Sequence, residues 1–200
     1  TSGGGSEAAI SEDLSAKGIK GGVSVTIAGG TFAIDAADDA IHSNADVTID
    51  GGAFTIATGD DGIHGDATVT INDGDIDITQ SYEGVESNVI TVNDGNIRIT
   101  ASDDGVNASS GTGESFGMGG GRPGQGATTY TGDTWLYING GSLVVNSGGD
   151  ALDANGAIDM TGGVVIVHGP TNSGNGALDY DGTFNISGGL LVAAGSAGMA

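Results

Sequence analysis

The sequence contains no cysteine, only two prolines, few aromatic residues and only four lysines and arginines among 200 residues. The absence of cysteine excludes disulfides, thiolate metal sites and cysteine nucleophiles. The scarcity of proline and the lack of a strict Gly-X-Y triplet exclude a collagen, although 41 residues are glycine. No apolar run approaches the length of a membrane span, so we expect no membrane insertion.

The charge of the chain is strongly one-sided. Its 26 aspartates and glutamates face four basic residues, which gives a formal net charge of −22 at pH 7. Such a surface repels nucleic acids and anionic membranes, so neither is an expected partner, whereas it attracts cations. Most of the acids are aspartates, which are favoured in turns and as oxygen ligands of metal ions.

A short acidic motif recurs along the chain at a spacing of about 22 residues. The clearest copy is Gly-Asp-Asp-Gly-Ile-His at 59–64, in which two acids precede a small residue, an aliphatic residue and a polar residue. Further copies or weaker variants are found at 37–42, 81–86, 102–107, 149–153 and 175–179. Self-similarity at a fixed period of this length predicts a solenoid, in which each repeat forms one coil.

Each repeat carries three short segments in which apolar and polar residues alternate, as expected for strands with one buried face. Glycine-containing corners such as Asp50-Gly51-Gly52 lie between the second and third segments. We therefore predict an all-β, single-domain parallel β-helix with three short strands per coil and about seven to eight coils. Because parallel crossovers are generally right-handed, we expect a right-handed β-helix.

The domain boundaries follow from the same repeat. Residues 1–13 are predicted to be a flexible acidic leader, and residues 14–200 the β-helix domain. A glycine-rich loop at 109–133 interrupts the fifth coil. An eighth coil starts at Met199, so we expect the strand stack to continue there or to pair with another molecule.

Acidic residues recur at equivalent positions of the repeat, and neighbouring coils stack about 4.8 Å apart. The repeat therefore predicts a ladder of carboxylates along one corner and the strand that follows it. Like charges at this spacing repel by on the order of 1 kcal/mol per pair in water, so the ladder calls for a cation. Hard oxygen ligands on adjacent coils suit Ca²⁺. The candidate metal ligands are Asp38, Asp39, Asp60, Asp61, Glu83, Glu86, Asp103, Asp104, Asp150, Asp153 and Asp179.

Other interpretations of these residues stay open. The acids could simply cap turns, as Asp73 and Asp94 are expected to do at another corner. His42 and His64 are adjacent in one outward column, and they could bind a transition metal or form hydrogen bonds to neighbouring acids at the surface. Aromatic side chains can stack on sugars. The candidate carbohydrate-binding residues are Tyr82, Trp135, Tyr137 and Tyr180.

Several motifs resemble a known family. They are Lys-Gly-Ile-Lys at 17–20, the repeated Val-Thr-Ile-x-Gly-Gly-x-Phe-x-Ile, Asp-Asp-Gly-Ile-His, Ser-Tyr-Glu-Gly-Val-Glu at 81–86 and the stretch at 169–182. Over residues 14–200 the chain resembles secreted bacterial carbohydrate-binding proteins. The resemblance implies a right-handed parallel β-helix similar to pectate lyases, Ca²⁺ sites on the acidic ladder, and binding of polygalacturonate or cellulose outside the cell. It does not fix which acids are ligands.

Three functions follow as hypotheses. The first is a non-catalytic extracellular protein that binds Ca²⁺ and, through it, acidic plant or matrix polysaccharide. The second is an extracellular fibre in which copies stack end to end with Ca²⁺, because open β-helix ends expose unpaired strands. The third is a Ca²⁺-dependent polysaccharide lyase, which needs a base beside the sugar. The lyase is disfavoured because Arg98 is expected on a different face from the acidic ladder.

Overall fold

The computed structural model describes residues 16–110, 133–172 and 174–196, and all of the regular secondary structure in these ranges is β-strand. The predicted leader at 1–13, most of the loop at 109–133 and the start of an eighth coil lie outside the described residues. The strands are β1 (Ile19–Gly21), β2 (Ser24–Ile27), β3 (Thr31–Ala36), β4 (Ile41–Ser43), β5 (Asp46–Ile49), β6 (Ala53–Thr58), β7 (Ile63–Ile71), β8 (Asp75–Ser81), β9 (Val85–Val92), β10 (Asn96–Ala101), β11 (Val106–Ala108), β12 (Trp135–Ile138), β13 (Ser142–Ser147), β14 (Leu152–Ala154), β15 (Ala157–Met160), β16 (Val164–His168), β17 (Leu178–Tyr180), β18 (Phe184–Ile186) and β19 (Leu190–Ala194).

The strands form three parallel stacks that run along the solenoid. The first stack has the order β1-β4-β7-β9-β11-β14-β17, and the third has the order β3-β6-β8-β10-β13-β16-β19. The second stack is formed by β2, β5, β7, β9, β12, β15 and β18. The predicted parallel β-helix with about 22 residues per coil is confirmed, with about seven coils. Its handedness stays a prediction.

Two coils differ from the predicted pattern of three strands. In the third and fourth coils, β7 and β9 continue through the corner between the first and second strands and take part in both the first and the second stack. The pairing of these two strands shifts register between Gly65 and Thr68, so the extra residue of the third coil forms a bulge. In these two coils the corner between the first and second strands is therefore part of one continuous strand and is not formed by a separate turn.

The core is the space enclosed by the three stacks. Alternate side chains point inward, and the isoleucines of the central coils are fully buried, as at Ile41, Ile63, Ile71 and Ile78. Burial falls off in the outer described coils: Ile19 and Leu178 are partly buried and pack against this cluster, and Ile186 is 52% exposed. Burying a side chain of this size contributes about 1.5–3 kcal/mol, so the central columns dominate the stability of the fold.

The corner between the second and third strands needs glycine because the chain takes positive φ there. The φ angle is 119° at Gly52, 135° at Gly74 and 109° at Gly95. Asp73 and Asp94 cap this corner, since each accepts a hydrogen bond from the N–H of the following glycine at 2.7 Å and 2.8 Å. The predicted capping role of these two aspartates is confirmed.

A ladder of side-chain amides follows the same corner from coil to coil. Asn72 donates to Asp50 at 2.7 Å, Asn93 donates to Asn72 at 2.8 Å, and Asn139 donates to Asn93 at 2.9 Å. Replacing Asn72 by alanine breaks two links, so we expect a loss of about 1 kcal/mol in the free energy of unfolding. Urea denaturation measures this loss. An Asn72→Ala variant that unfolds at the same urea concentration as the wild type would contradict a stabilising role for these side-chain amides.

Candidate functional site

The first corner of each coil, which leads into the first strand, places one residue of each repeat in a straight column. The backbone fixes this column, because the N–H of the next residue donates to the carbonyl of the equivalent residue one coil on. These bonds join Ala40 to Asp61 at 2.9 Å and both Gly62 to Glu83 and Gly84 to Asp104 at 3.0 Å. We call the column formed by Lys17, Asp39, Asp61, Glu83, Asp104 and Asp150 the corner column.

A second column lies three residues further along each repeat, on the outward face of the first stack. The strand register pairs its members one by one between neighbouring coils. We call the column formed by Lys20, His42, His64, Glu86, Asn107, Asp153 and Asp179 the strand column, and the two columns together the ladder. The predicted alignment of these positions is confirmed, whereas their role in metal binding is not tested by it.

Part of the corner column has a structural task. Asp39 Oδ1 accepts a hydrogen bond from the N–H of Asp61 at 3.3 Å, and Asp104 Oδ1 accepts one from the N–H of Asp150 at 2.6 Å. Asp150 Oδ1 accepts one from the N–H of Gly176. One oxygen of each of these carboxylates therefore binds the backbone of the next coil, which is a structural role but not the capping of a turn in its own coil. The second oxygen of Asp39 contacts Lys17 and His42.

The N-terminal end of the ladder is neutralised by cations of the protein itself. Lys17 Nζ contacts Asp38 at 3.0 Å and also binds Asp39. Burial alone would lower the pKa of Lys17, but its hydrogen bonds to Asp39 and Asp38 raise that pKa above its usual value. Lys17 was not among the residues predicted for the ladder, although it lies 22 residues before Asp39, so the repeat spacing could have identified it.

The histidines extend this neutralised end. His42 Nδ1 lies 2.7 Å from Asp39 Oδ2, and His64 Nδ1 lies 2.9 Å from Asp61 Oδ2 and 3.1 Å from Glu86 Oε2. Burial would lower the pKa of His64, but the hydrogen bond to Asp61 and the charge of Glu86 raise it to about 9. The predicted bonds to neighbouring acids are confirmed, but the expectation of surface positions is wrong for His42, which is 9% exposed.

The rest of the ladder carries acids without such partners. Among the described residues, no ion pair joins Glu83, Asp104 or Asp153 to a basic side chain. Burial, followed by the charge of Glu86, raises the pKa of Glu83 to about 9. Burial, followed by the charge of Asp104, raises the pKa of Asp153 to about 8. Burial also raises the pKa of Asp104 to about 7, since its hydrogen bond from Asp150 offsets only part of the shift. These carboxylates resist ionisation unless a cation joins them.

Asn107 lies between these acids in the strand column and is 8% exposed. Its Nδ2 donates to Glu83 Oε2 at 3.0 Å, while its Oδ1 is buried and has no hydrogen-bond partner. A buried amide oxygen without a partner costs about 1–3 kcal/mol, so such a group commonly marks a ligand position. Asn107 was not among the predicted Ca²⁺ ligands, because only carboxylates were considered for that ion.

Three groups of side chains could hold a metal ion, judged by ligand atoms that all lie within 4.8 Å of one another. They are Asp39-His42-His64, Asp61-His64-Glu86 and Asp38-Asp39-Asp60. The third is all oxygen, but Lys17 already contacts Asp38 and Asp39 there. Two of the three groups thus mix nitrogen and oxygen ligands around the histidines, and none of them includes Glu83, Asp104 or Asp153.

The candidate sugar-binding aromatics are spread over the molecule. Tyr82 is 48% exposed at the first corner, where a hydrogen bond to Asp103 and the charge of that acid raise its pKa to about 12. Trp135 and Tyr137 stack on each other on β12, with ring centroids 5.3 Å apart. Tyr180 is 43% exposed and meets Phe184 edge-on. Of the four, Tyr82 is in direct contact with an acid of the predicted metal set.

Comparison with known families identifies the domain. A family model described as "Carbohydrate-binding domain-containing protein" matches residues 1–62 and 61–105, just over half of the chain. The chain belongs to this family. A carbohydrate-binding role, with no particular sugar or metal specified, therefore agrees with the prediction from the sequence. No curated protein and no solved structure matched the chain. The described residues include no helix long and apolar enough to cross a membrane.

Proposed function

We propose that this domain is a non-catalytic, extracellular, Ca²⁺-dependent binder of acidic polysaccharide such as polygalacturonate. The observation that carries the proposal is the uncompensated part of the ladder on a domain of a carbohydrate-binding family. There, Asn107 has an unpartnered Oδ1, donates to Glu83 and pairs in register with Asp153, and both of these partly buried acids have raised pKa values. A site rich in negative charge cannot attract a uronate chain by itself, so a cation must mediate the contact.

The oxygen donors of this region fit Ca²⁺. Glu83, Asp104 and Asp153 offer carboxylate oxygens, and Asn107 offers an amide oxygen; Ca²⁺ takes six to eight such ligands in irregular geometry. These residues would hold the ion, and the ion would supply open coordination positions for sugar carboxylates. The raised pKa values favour this assignment, because a bound cation allows the acids to ionise at neutral pH.

Tyr82 fits the sugar side of this proposal. Its exposed ring lies at the first corner beside Asp103, one residue before Glu83 in the chain. A pyranose ring stacked on Tyr82 would bring its carboxylate towards the ion at the ladder. We expect Tyr82→Ala to weaken polysaccharide binding several-fold while leaving Ca²⁺ binding unchanged, as measured by calorimetry with each ligand. Equal weakening of both would contradict separate roles for the ring and the ladder.

The test of the proposed function is binding to polygalacturonate with Ca²⁺ and with excess chelator. We expect binding only with Ca²⁺, and we expect the double variant Asn107→Ala, Asp153→Asn to lose it. Asp35→Asn serves as the matched control, because Asp35 is an exposed acid on β3, outside the ladder. Unchanged binding in chelator, or wild-type binding by the double variant, would refute the Ca²⁺-mediated mechanism.

The positions of the basic residues support a binder rather than a lyase. Arg98 lies exposed on β10 in the third stack, paired in register with Asp77 and Val144. Lys17 is engaged by Asp38 and Asp39 at the far end of the ladder. Neither is available as a base beside Asn107. Formation of an unsaturated uronate product, measured by its absorbance, would contradict the non-catalytic assignment.

End-to-end stacking of copies stays a second proposal. Outward aliphatic side chains, with Val192 at 46% and Leu190 at 54% exposure, accumulate on the third stack of the last described coils. Large exposed apolar patches favour contact with another protein surface. Electron microscopy with and without Ca²⁺ tests this proposal, and dispersed monomers under both conditions would exclude it.

A further inference from the structure

His42 and His64 occupy neighbouring coils and face each other across the strand column. Their ring centroids lie 5.0 Å apart. His42 is buried, and His64 is partly buried. Two groups of ligand atoms, each within 4.8 Å, share His64: one with His42 and Asp39, the other with Asp61 and Glu86. This region adjoins the proposed carbohydrate site, because Glu86 pairs in register with Asn107. The two histidines are not used by that site.

The outer nitrogen of each ring is held by an oxygen acceptor. His42 Nε2 lies 3.0 Å from Asn44 Oδ1, and His64 Nε2 lies 3.3 Å from Asp66 Oδ1. These contacts accompany ring orientations in which Nδ1 of each ring faces a carboxylate of the corner column. Histidines that bind metals are commonly fixed in this way, with the second nitrogen donating to a carbonyl or carboxylate oxygen.

The inner nitrogens face carboxylates. His42 Nδ1 lies 2.7 Å from Asp39, and His64 Nδ1 lies 2.9 Å from Asp61. A divalent cation bound here would meet an imidazole nitrogen and a carboxylate oxygen from each of two neighbouring coils.

We propose that His42 and His64, together with Asp61 and the neighbouring carboxylates of Asp39 and Glu86, form a binding site for a divalent transition-metal ion. Two imidazoles with carboxylates suit Zn²⁺, Ni²⁺ or Cu²⁺, whereas Ca²⁺ takes oxygen ligands. Lys17 shares Asp39 with the site, so Asp61 and Glu86 are the carboxylates free of lysine. The site goes beyond the proposed function, since it requires neither Ca²⁺ nor sugar.

The experiment is titration of the whole chain with Zn²⁺ in the presence of excess Ca²⁺, and with Co²⁺ followed by visible absorption. His42→Gln and His64→Gln are each expected to weaken Zn²⁺ binding at least about tenfold and to remove the Co²⁺ spectrum. His168→Gln is the matched control, because His168 is exposed on β16 and lies outside both groups. Polygalacturonate binding is expected to be unchanged in all three variants.

Several results would overturn the proposal. They are absence of Zn²⁺ binding in excess Ca²⁺, Zn²⁺ binding by His42→Gln and His64→Gln equal to that of the wild type, or an equal loss in His168→Gln. If either ladder variant unfolds, Asn44→Ala replaces it, because Asn44 holds His42 Nε2 without being a ligand. Asn44→Ala is expected to weaken Zn²⁺ binding, and wild-type affinity in that variant would also count against the site.

Discussion

The metal-free protein is expected to lose stability as the pH rises from about 4 to about 9, and Ca²⁺ is expected to restore it. The pKa of Glu83 is raised to about 9 and that of Asp153 to about 8, mainly by burial. In the unfolded chain such carboxyls titrate near pH 4. The folded state therefore binds more protons than the unfolded state throughout this range, so the free energy of unfolding falls with increasing pH.

His64 acts in the same direction over part of this range. Its pKa is raised to about 9 in the folded protein, so its contribution to stability is complete below about pH 6.5 and is lost as the pH rises through about 9. Each group that remains protonated only in the folded state changes stability by up to about 1.4 kcal/mol per pH unit. Chemical denaturation at a series of pH values, with chelator or with Ca²⁺, measures the effect.

The variant Glu83→Gln separates the contribution of the Glu83 carboxyl group from the other causes of the pH dependence. It removes a charge that is costly at neutral pH, so it is expected to stabilise the metal-free protein above about pH 7, flatten the pH dependence and weaken Ca²⁺ binding. Asp35→Asn makes the same change on an exposed strand position and is expected to do none of these. A metal-free wild type whose stability rises with pH, or a Glu83→Gln variant less stable than wild type in chelator, would contradict this account.

The sequence was sufficient to predict the stacked columns because the repeat length fixes them. Once the period is 22 residues, His42 must pair with His64, and Ile41 with Ile63, whatever their neighbours do. Burial then follows from alternation along each strand. The glycine corners were equally predictable, because few residues other than glycine adopt the positive φ angles found at Gly52 and Gly74.

The distribution of charge within the ladder was not predicted. The repeat predicted that acids line the corner, and bonds from the histidines to those acids were one expected alternative, but it did not predict that Lys17 contacts Asp38 and Asp39 at the N-terminal end. The repeat gives the column of each residue but not which way a long side chain turns at the end of the stack. The orphan oxygen of Asn107 likewise depends on three-dimensional packing, because its Nδ2 is taken by Glu83 one coil away.

Lys17→Met is expected to lower the free energy of unfolding by about 2–3 kcal/mol, which is a large effect for a residue near the surface. The lysine side chain is 14% exposed and that of Asp39 is 3% exposed. Loss of the ammonium leaves the buried carboxylate of Asp39 with His42 as its remaining side-chain donor. An uncompensated buried charge costs far more than the loss of an exposed ion pair.

Lys20 provides the control, because it lies in the same coil and carries the same charge but is exposed on β1. Lys20→Met is expected to change the free energy of unfolding by no more than about 0.5 kcal/mol. The double variant Lys17→Met, Asp39→Asn is expected to recover part of the loss, since the charge that needed the lysine is gone. Urea denaturation in chelator of the wild type, Lys17→Met, Asp39→Asn and the double variant completes the cycle. Equal effects of Lys17→Met and Lys20→Met would show that total charge, rather than the buried pair with Asp39, determines stability at this end of the ladder.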